Sequence, residues 1–272
     1  MLRFAGAGVS DVGRVRPHNE DSGFVGPYAV IVADGVGGAA AGEIASATAA
    51  YAASAVALAR FGQRPELLLA EAYAAATDGV RLGVQRDLDR LGMATTLTMI
   101  ATDGRRVALG HVGDSRGYLF SGGDLRQITK DHTYVQHLVD TGKLDPETRA
   151  THPWRNVVLR SVDGDPGGEG PDVVLLDVAV GDRLLVASDG LTDLVPDEVI
   201  ADVLAAEEGD EAVASLTRLA LDAGGRDNIT VVVADLIEGP QVVGDGKLLG
   251  ALQDPWNVVD PAAVPLQATR TA

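Results

Sequence analysis

Five short segments of this chain set a carboxylate at the end or the start of an apolar run: RPHNED at 16–21, VADGVGG at 32–38, VGDSRGY at 112–118, VASDGL at 186–191 and GGRDNIT at 224–230. An Asp after a strand is commonly just a turn residue whose side chain caps the local backbone. Five such cases weaken that reading for the set, because strand ends are where a scaffold gathers groups from distant sequence positions. Carboxylates that converge in a chain without Cys and without an HExxH spacing favour a hard divalent cation, Mg²⁺ or Mn²⁺, over zinc. The steps Asp34-Gly35 and Asp189-Gly190 would let a backbone carbonyl approach such an ion, although Asp-Gly is also a common hairpin signal. Adjacent Glu20 and Asp21 point to opposite faces if they share a strand. At most one is then a direct ligand unless the backbone bulges, and the other would hold a metal-bound water.

These groups need a scaffold, and the chain is large enough to supply one. Its 272 residues are 46% hydrophobic, which suffices for a buried core and excludes disorder of the whole chain. Apolar stretches of strand length recur at Tyr28–Ala33, Ala94–Ala101, Arg106–Val112, Gly117–Phe120, Val173–Val178, Arg183–Ala187 and Ile229–Leu236. Helical stretches fall at about 38–60, 65–90, 196–206 and 209–223. Strand–strand–helix–helix ordering argues for an α+β fold with mainly antiparallel sheets. The body spans 1–238 as one domain, interrupted by a polar, His- and Pro-containing insertion at about 130–170; 239–272 reads as a flexible or loosely docked tail, touching the body through Leu248–Leu252.

Composition also narrows the partners. Against 22 Lys and Arg stand 39 Asp and Glu, a formal charge of −17, which speaks against nucleic acid and anionic membranes. The absence of Cys excludes disulfides, thiolate zinc sites and a cysteine nucleophile. The uncharged run Ile44–Ala59 is too short and too Ala-rich to span a bilayer and fits a helix buried against a sheet. With no apolar leader at its start, the chain is expected to be cytoplasmic, without direct membrane insertion.

The order and spacing of RPHNED, VADGVGG, GDSRGY, SDGL and RDNIT resemble the metal-dependent serine/threonine protein phosphatases of the 2C type, in their compact bacterial form. The likeness runs from about residue 5 to 237 and includes an insertion, DHTYVQHLVDTG followed by HPWRN, between the third and fourth motifs. It implies a four-layer α-β-β-α sandwich of two sheets flanked by helices, with a flap at about 130–165, and two Mn²⁺ or Mg²⁺ ions at one end of the sheets. Asp34 would then bridge the ions and the Gly35 carbonyl would bind one of them. Asp189 and Asp227 would bind the other, Glu20 and Asp21 would serve the Gly35-side ion, and Arg16 would grip the substrate phosphate. Asp114 matches an aspartate that, with Asp189, holds a third, weaker ion.

The implied activity is hydrolysis of phosphoserine and phosphothreonine in proteins. Phosphorylated proteins are the implied partners, with Ser/Thr kinases among the candidates. Two other readings stay open: a phosphatase-like regulatory or binding module, and a phosphatase of small phosphorylated molecules. One departure stands out, because many eukaryotic members carry a His where this chain has Val36. The proton for the leaving alkoxide then comes from water or from a flap residue, for which His132 and His152 are the candidates.

Overall fold

The computed structural model describes residues 1–36, 41–244 and 246–260. Its chain order is β1 (Leu2–Asp11), β2 (Asp21–Val25), β3 (Ala29–Val36), α1 (Gly42–Ala59), α2 (Pro65–Arg86), β4 (Ala94–Thr95), β5 (Leu97–Thr102), β6 (Val107–Val112), β7 (Arg116–Ser121) and β8 (Asp124–Gln127). The second half adds α3 (Tyr134–Asp140), β9 (Asp172–Leu176), β10 (Arg183–Ala187), α4 (Asp189–Thr192), α5 (Asp197–Ala206), α6 (Gly209–Asp222), β11 (Ile229–Glu238) and β12 (Lys247–Gly250).

The strands form two antiparallel sheets. One has the order β1-β11-β10-β7-β8, and the other runs β12-β2-β3-β5-β6-β9 with β4 alongside β3. Period-2 alternation explains how both faces of each sheet are buried. On β3, Ile31 and Ala33 point to the layer of α1 and α2, while Val30 and Val32 point to the facing sheet. On β11, Val231 and Val233 meet α5 and α6, while Val232 and Ala234 face the other sheet. Each such aliphatic side chain contributes about 2 kcal/mol by leaving water. The result is four layers, helix, sheet, sheet and helix, with an apolar core in each of the three gaps.

The Ala-rich helix α1 suits its place. Ala45, Ala49, Ala50 and Ala53 are fully buried, so its small side chains let the helix lie close on the sheet. No helix among the described residues is long and apolar enough to cross a membrane.

Several boundaries differ from those read in the sequence. The strands β1, β2, β8 and β12 were not expected. In β1 and β2, glycines at 6, 8 and 23 dilute the apolar alternation: a Cβ at Gly6 or Gly8 would strike Val25 or Leu249 across the packed layers, and one at Gly23 would crowd Ile31 and Leu249 on the strands beside it. The stretch Ala94–Ala101 divides into β4 and β5 around Thr96, and α2 ends at Arg86, with a separate 3-10 turn at Leu88–Arg90. The flap is not wholly irregular, carrying α3 and a 3-10 turn at Pro146–Thr151.

The tail is docked as far as Asp260. β12 pairs with β2, Leu249 enters the core between the sheets, and Leu252 and Ala251 enter the core beneath α1. Residues 261–272 of that tail, the Gly37-Gly38 end of VADGVGG and the expected start of the first helix at about 38 lie outside the described residues.

Candidate active site

The cavity forms where strand ends from both sheets meet. The ten-residue ladder between β1 and β11 sets Asp11 opposite Ile229, which carries the loop bearing Arg16 to the loop bearing Asp227. In the other sheet Asp21 of β2 pairs directly with Asp34 of β3. Asp189 opens α4 after β10, and Asp114 lies in the turn between β6 and β7. A cavity of about 160 Å³ is lined by Arg16, Glu20, Asp34, Gly35, Val36, Asp114, Asn156, Val158, Asp189, Asp227 and Asn228. Of the residues expected to hold metal or phosphate, only Asp21 is missing from this wall, being fully buried.

Two glycines set the spacing. A Cβ on Gly35 would strike the backbone of Gly42 and come within 2.8 Å of the Glu20 carbonyl, so only glycine allows β3 to pass the start of α1 this closely. Gly113 has φ +111, and a Cβ there would lie 2.5 Å from Thr96. The Thr96 hydroxyl accepts from the Asp34 N–H at 2.9 Å and hydrogen-bonds the Ser115 hydroxyl at 2.7 Å, which ties the Asp34 strand to the turn bearing Asp114.

The electrostatics of this wall are adverse to the protein alone. Desolvation pushes the Asp34 carboxyl well above the ordinary range, and Asp21, Asp189, Asp114 and Asp227 add to the effect. Asp189 is pushed well up by desolvation and then by Asp114, Asp193, Asp227 and Asp21. Asp114 rises to about 7 through desolvation, Asp131 and Asp193. Asp21 rises to about 6, mainly by desolvation, in spite of a 2.7 Å bond from the Ser188 hydroxyl to its Oδ2. Arg16 supplies one compensating charge, donating to Asp227 Oδ2 at 2.6 Å.

This donor set fits hard divalent cations. It holds only carboxylates and a backbone carbonyl, and Asp21 Oδ1 is buried with no hydrogen-bond partner. An unpartnered carboxylate oxygen and several repelling carboxylates are what a doubly charged ion would relieve. Among the described residues, no three His, Asp or Glu side chains are already drawn into a closed ligand set; they stand around the walls of the shared cavity.

A family profile described as Protein phosphatase 2C matches residues 18–219. The chain belongs to the protein phosphatase 2C family. It is 42% identical over 238 residues to the serine/threonine protein phosphatase PstP of Mycobacterium tuberculosis, covering 88% of this chain and 46% of that protein. The chain thus spans about half the length of that relative. The serine/threonine phosphatase stp of Listeria monocytogenes is 35% identical over 238 residues, 83% of this chain and 93% of that one. Among solved structures, the PstP catalytic domain in complex with two manganese ions superposes with a TM-score of 0.81 at 41% identity, covering 88% of this chain and all of that domain (100%).

Residues of this 2C-family chain that sequence reasoning passed over hold the site together. Asn228 is buried, takes the Glu20 N–H on Oδ1 at 2.7 Å, and donates through Nδ2 to the Val12 and His18 carbonyls, each at 2.9 Å. It pins the loop carrying Arg16 and Glu20 to the loop carrying Asp227. Ser188 bridges Asp21 and the Thr230 N–H. Both stand inside quoted motifs beside an Asp, which is the signal that could have found them.

The flap histidines lie away from the chemistry. His132 takes the Gly113 N–H on Nδ1 at 3.1 Å and faces Asp172 through Nε2 at 3.0 Å, so both ring nitrogens are engaged. The His152 ring accepts the Trp154 N–H. Neither lines the cavity.

Proposed function

We propose that this chain is a cytoplasmic, metal-dependent protein phosphatase that hydrolyses phosphoserine and phosphothreonine, acting in signalling opposite Ser/Thr kinases. The observation carrying this reading is the convergence of Glu20, Asp34, Asp114, Asp189 and Asp227, from five separate segments, on one cavity with Arg16 at its edge. Two Mn²⁺ or Mg²⁺ ions, when bound, supply the Lewis acidity that makes water a nucleophile near neutral pH and offsets phosphoryl charge. Asp34 and the Gly35 carbonyl, together with Asp189 and Asp227 on the same cavity, would hold the pair. Glu20 serves the Gly35 side directly, and Asp21 acts from behind it. Asp114, with Asp189, would hold a third and weaker ion.

Arg16 orients the substrate. Its planar guanidinium exchanges Asp227 for phosphate oxygens, a two-pronged match that Lys lacks. Val36 in this wall has no proton to give the leaving alkoxide, and neither flap histidine lines the cavity. The proton therefore comes from water. Chelated protein should cleave neither p-nitrophenyl phosphate nor a phosphothreonine peptide and should recover both activities with Mn²⁺, whereas Asp34→Asn should remain inactive at any metal concentration. Full turnover in excess chelator would refute the reading, and cleavage of the aryl phosphate alone would redirect it to small molecules.

A further inference from the structure

A second, larger cavity of about 520 Å³ opens beside the reaction cavity and shares Asp114, Asn156, Asp189 and Asp227 with it. Its outer wall is built by the flap and by the segment leading into β11, and carries Arg149, Arg155 and Arg226. Six aspartates and four arginines line it, but only Arg116 is closely paired, at 2.7 Å to Asp131, which leaves Arg149, Arg155 and Arg226 as the loosely held cations.

Among the described residues none of the three has a carboxylate within 3.5 Å. Arg226 has no hydrogen-bond or ion-pair partner among the described residues, and Arg155 reaches only Asp193, at 3.8 Å. Arg149 donates to the neutral Gln136 side chain at 2.7 Å and is 3.9 Å from Asp131. Asp131 is already committed, held by Arg116 through bonds of 2.7 to 3.1 Å. Asp197 accepts from the Tyr118 hydroxyl and sits at the first turn of α5, where the helix dipole offsets its charge. The Thr192 hydroxyl on the same wall is buried without a partner.

From this geometry we infer that the side cavity is a subsite for an anionic group on the substrate peptide, an acidic side chain or a second phosphate within about three residues of the phosphoresidue. An extended peptide advances about 3.3–3.6 Å per residue, so neighbouring side chains of a peptide seated in the first cavity reach the second. Arg155 and Arg226 are its principal recognition groups and Thr192 is a neutral donor. The inference rests on the protein-phosphatase reading above.

The test uses Mn²⁺-loaded full chain and phosphothreonine peptides that are identical except for flanking positions, carrying Ala, Asp or a second phosphothreonine there. Wild type should prefer the Asp peptide over the Ala peptide by about tenfold in kcat/KM, chiefly through KM, and the preference should shrink at high salt. The doubly phosphorylated peptide shows whether phosphate serves better than carboxylate. Arg155→Glu and Arg226→Glu should bring the Asp-to-Ala ratio to about one or below, while Arg155→Lys keeps part of it. Because the ratio is taken within one variant, a general loss of activity does not obscure it. A ratio near one in wild type, or one unmoved by both charge reversals, overturns the subsite. Cleavage of p-nitrophenyl phosphate but of no phosphopeptide overturns the protein-phosphatase reading itself, and the subsite with it.

Discussion

Asp21 allows the stability lost to the carboxylate cluster to be measured. In protein stripped of divalent ions its buried carboxyl rises to about 6 from 3.8, so the fold favours the protonated form. The unfolded chain ionises first, and stability is lost as pH rises through the interval between the two values. The penalty works out at about 0.5 kcal/mol at pH 4 and about 3 kcal/mol at pH 7, flat above that. His111 acts in the opposite direction. Burial between Thr98 and the Lys130 carbonyl lowers it to about 4, so the unfolded chain takes up its proton first on acidification and stability falls by about 3 kcal/mol by pH 4. A wild-type stability curve also contains Asp34, Asp189 and Asp114, so the difference from Asp21→Asn is the quantity to read; it removes the Asp21 penalty and, with it, the push of Asp21 on Asp34 and Asp189, which adds in the same direction. The amide keeps an oxygen for the Ser188 hydroxyl, and its buried NH₂ adds an offset that does not vary with pH. Urea denaturation in chelator should therefore show the Asn variant gaining on wild type by about 2.5 kcal/mol between pH 4 and pH 7. A difference that is flat with pH would refute the reasoning. Mn²⁺ should stabilise wild type more than the variant at pH 7, because relief of Asp21 is part of what the ion supplies.

Leu252 is 2% exposed beneath α1, so Leu252→Ala should cost about 2–4 kcal/mol in urea denaturation, and a loss under about 1 kcal/mol would show that the segment after β12 is not docked in solution. His132→Ala should leave phosphothreonine and aryl phosphate turnover within a few-fold of wild type; selective slowing of phosphothreonine cleavage, with loss of an acidic limb in the pH–rate profile, would make His132 the proton donor after all. Asp114→Ala should remain folded and bind two ions by calorimetry while turning over slowly. Loss of all metal binding would place Asp114 in the core pair.

The layers were legible because their signals are local. β3, β5, β6, β10 and β11 each carry an apolar run, and α5 and α6 begin and end close to Pro196 and Gly224. What escaped depends on partners distant in sequence. β2 reads as DSGFV, a poor strand by propensity, and exists because it lies between β3 and β12. β12 reads as part of a Pro-containing tail whose docking through Leu248–Leu252 was legible, whereas its pairing as a strand with β2, more than 220 residues earlier, was not. The site carboxylates were legible as acids at the ends of apolar runs, three of them beside Gly, but Asn228 was not, since its value lies in joining Val12, His18 and Glu20 across more than 200 residues.

The carboxylates fall into two electrostatic neighbourhoods. After desolvation, Asp34 feels Asp21 and Asp189 most, whereas Asp114 feels Asp131 and Asp193, both of which line the larger cavity. Asp189 belongs to both, with Asp114 and Asp193 ahead of Asp227 and Asp21 among its neighbours. Its position follows from local structure, because Asp189 is the first residue of α4 and Gly190 packs against the Asn228 backbone so closely that no Cβ fits. From this position the Asp189 carboxylate lines both cavities. Charge entering the side cavity, whether a third cation near Asp114 or an anionic substrate group at Arg155 and Arg226, is therefore felt at the Asp34 centre through Asp189. The two cavities share three carboxylates, Asp114, Asp189 and Asp227, and the flap, which carries Arg149 and Arg155, walls the larger one.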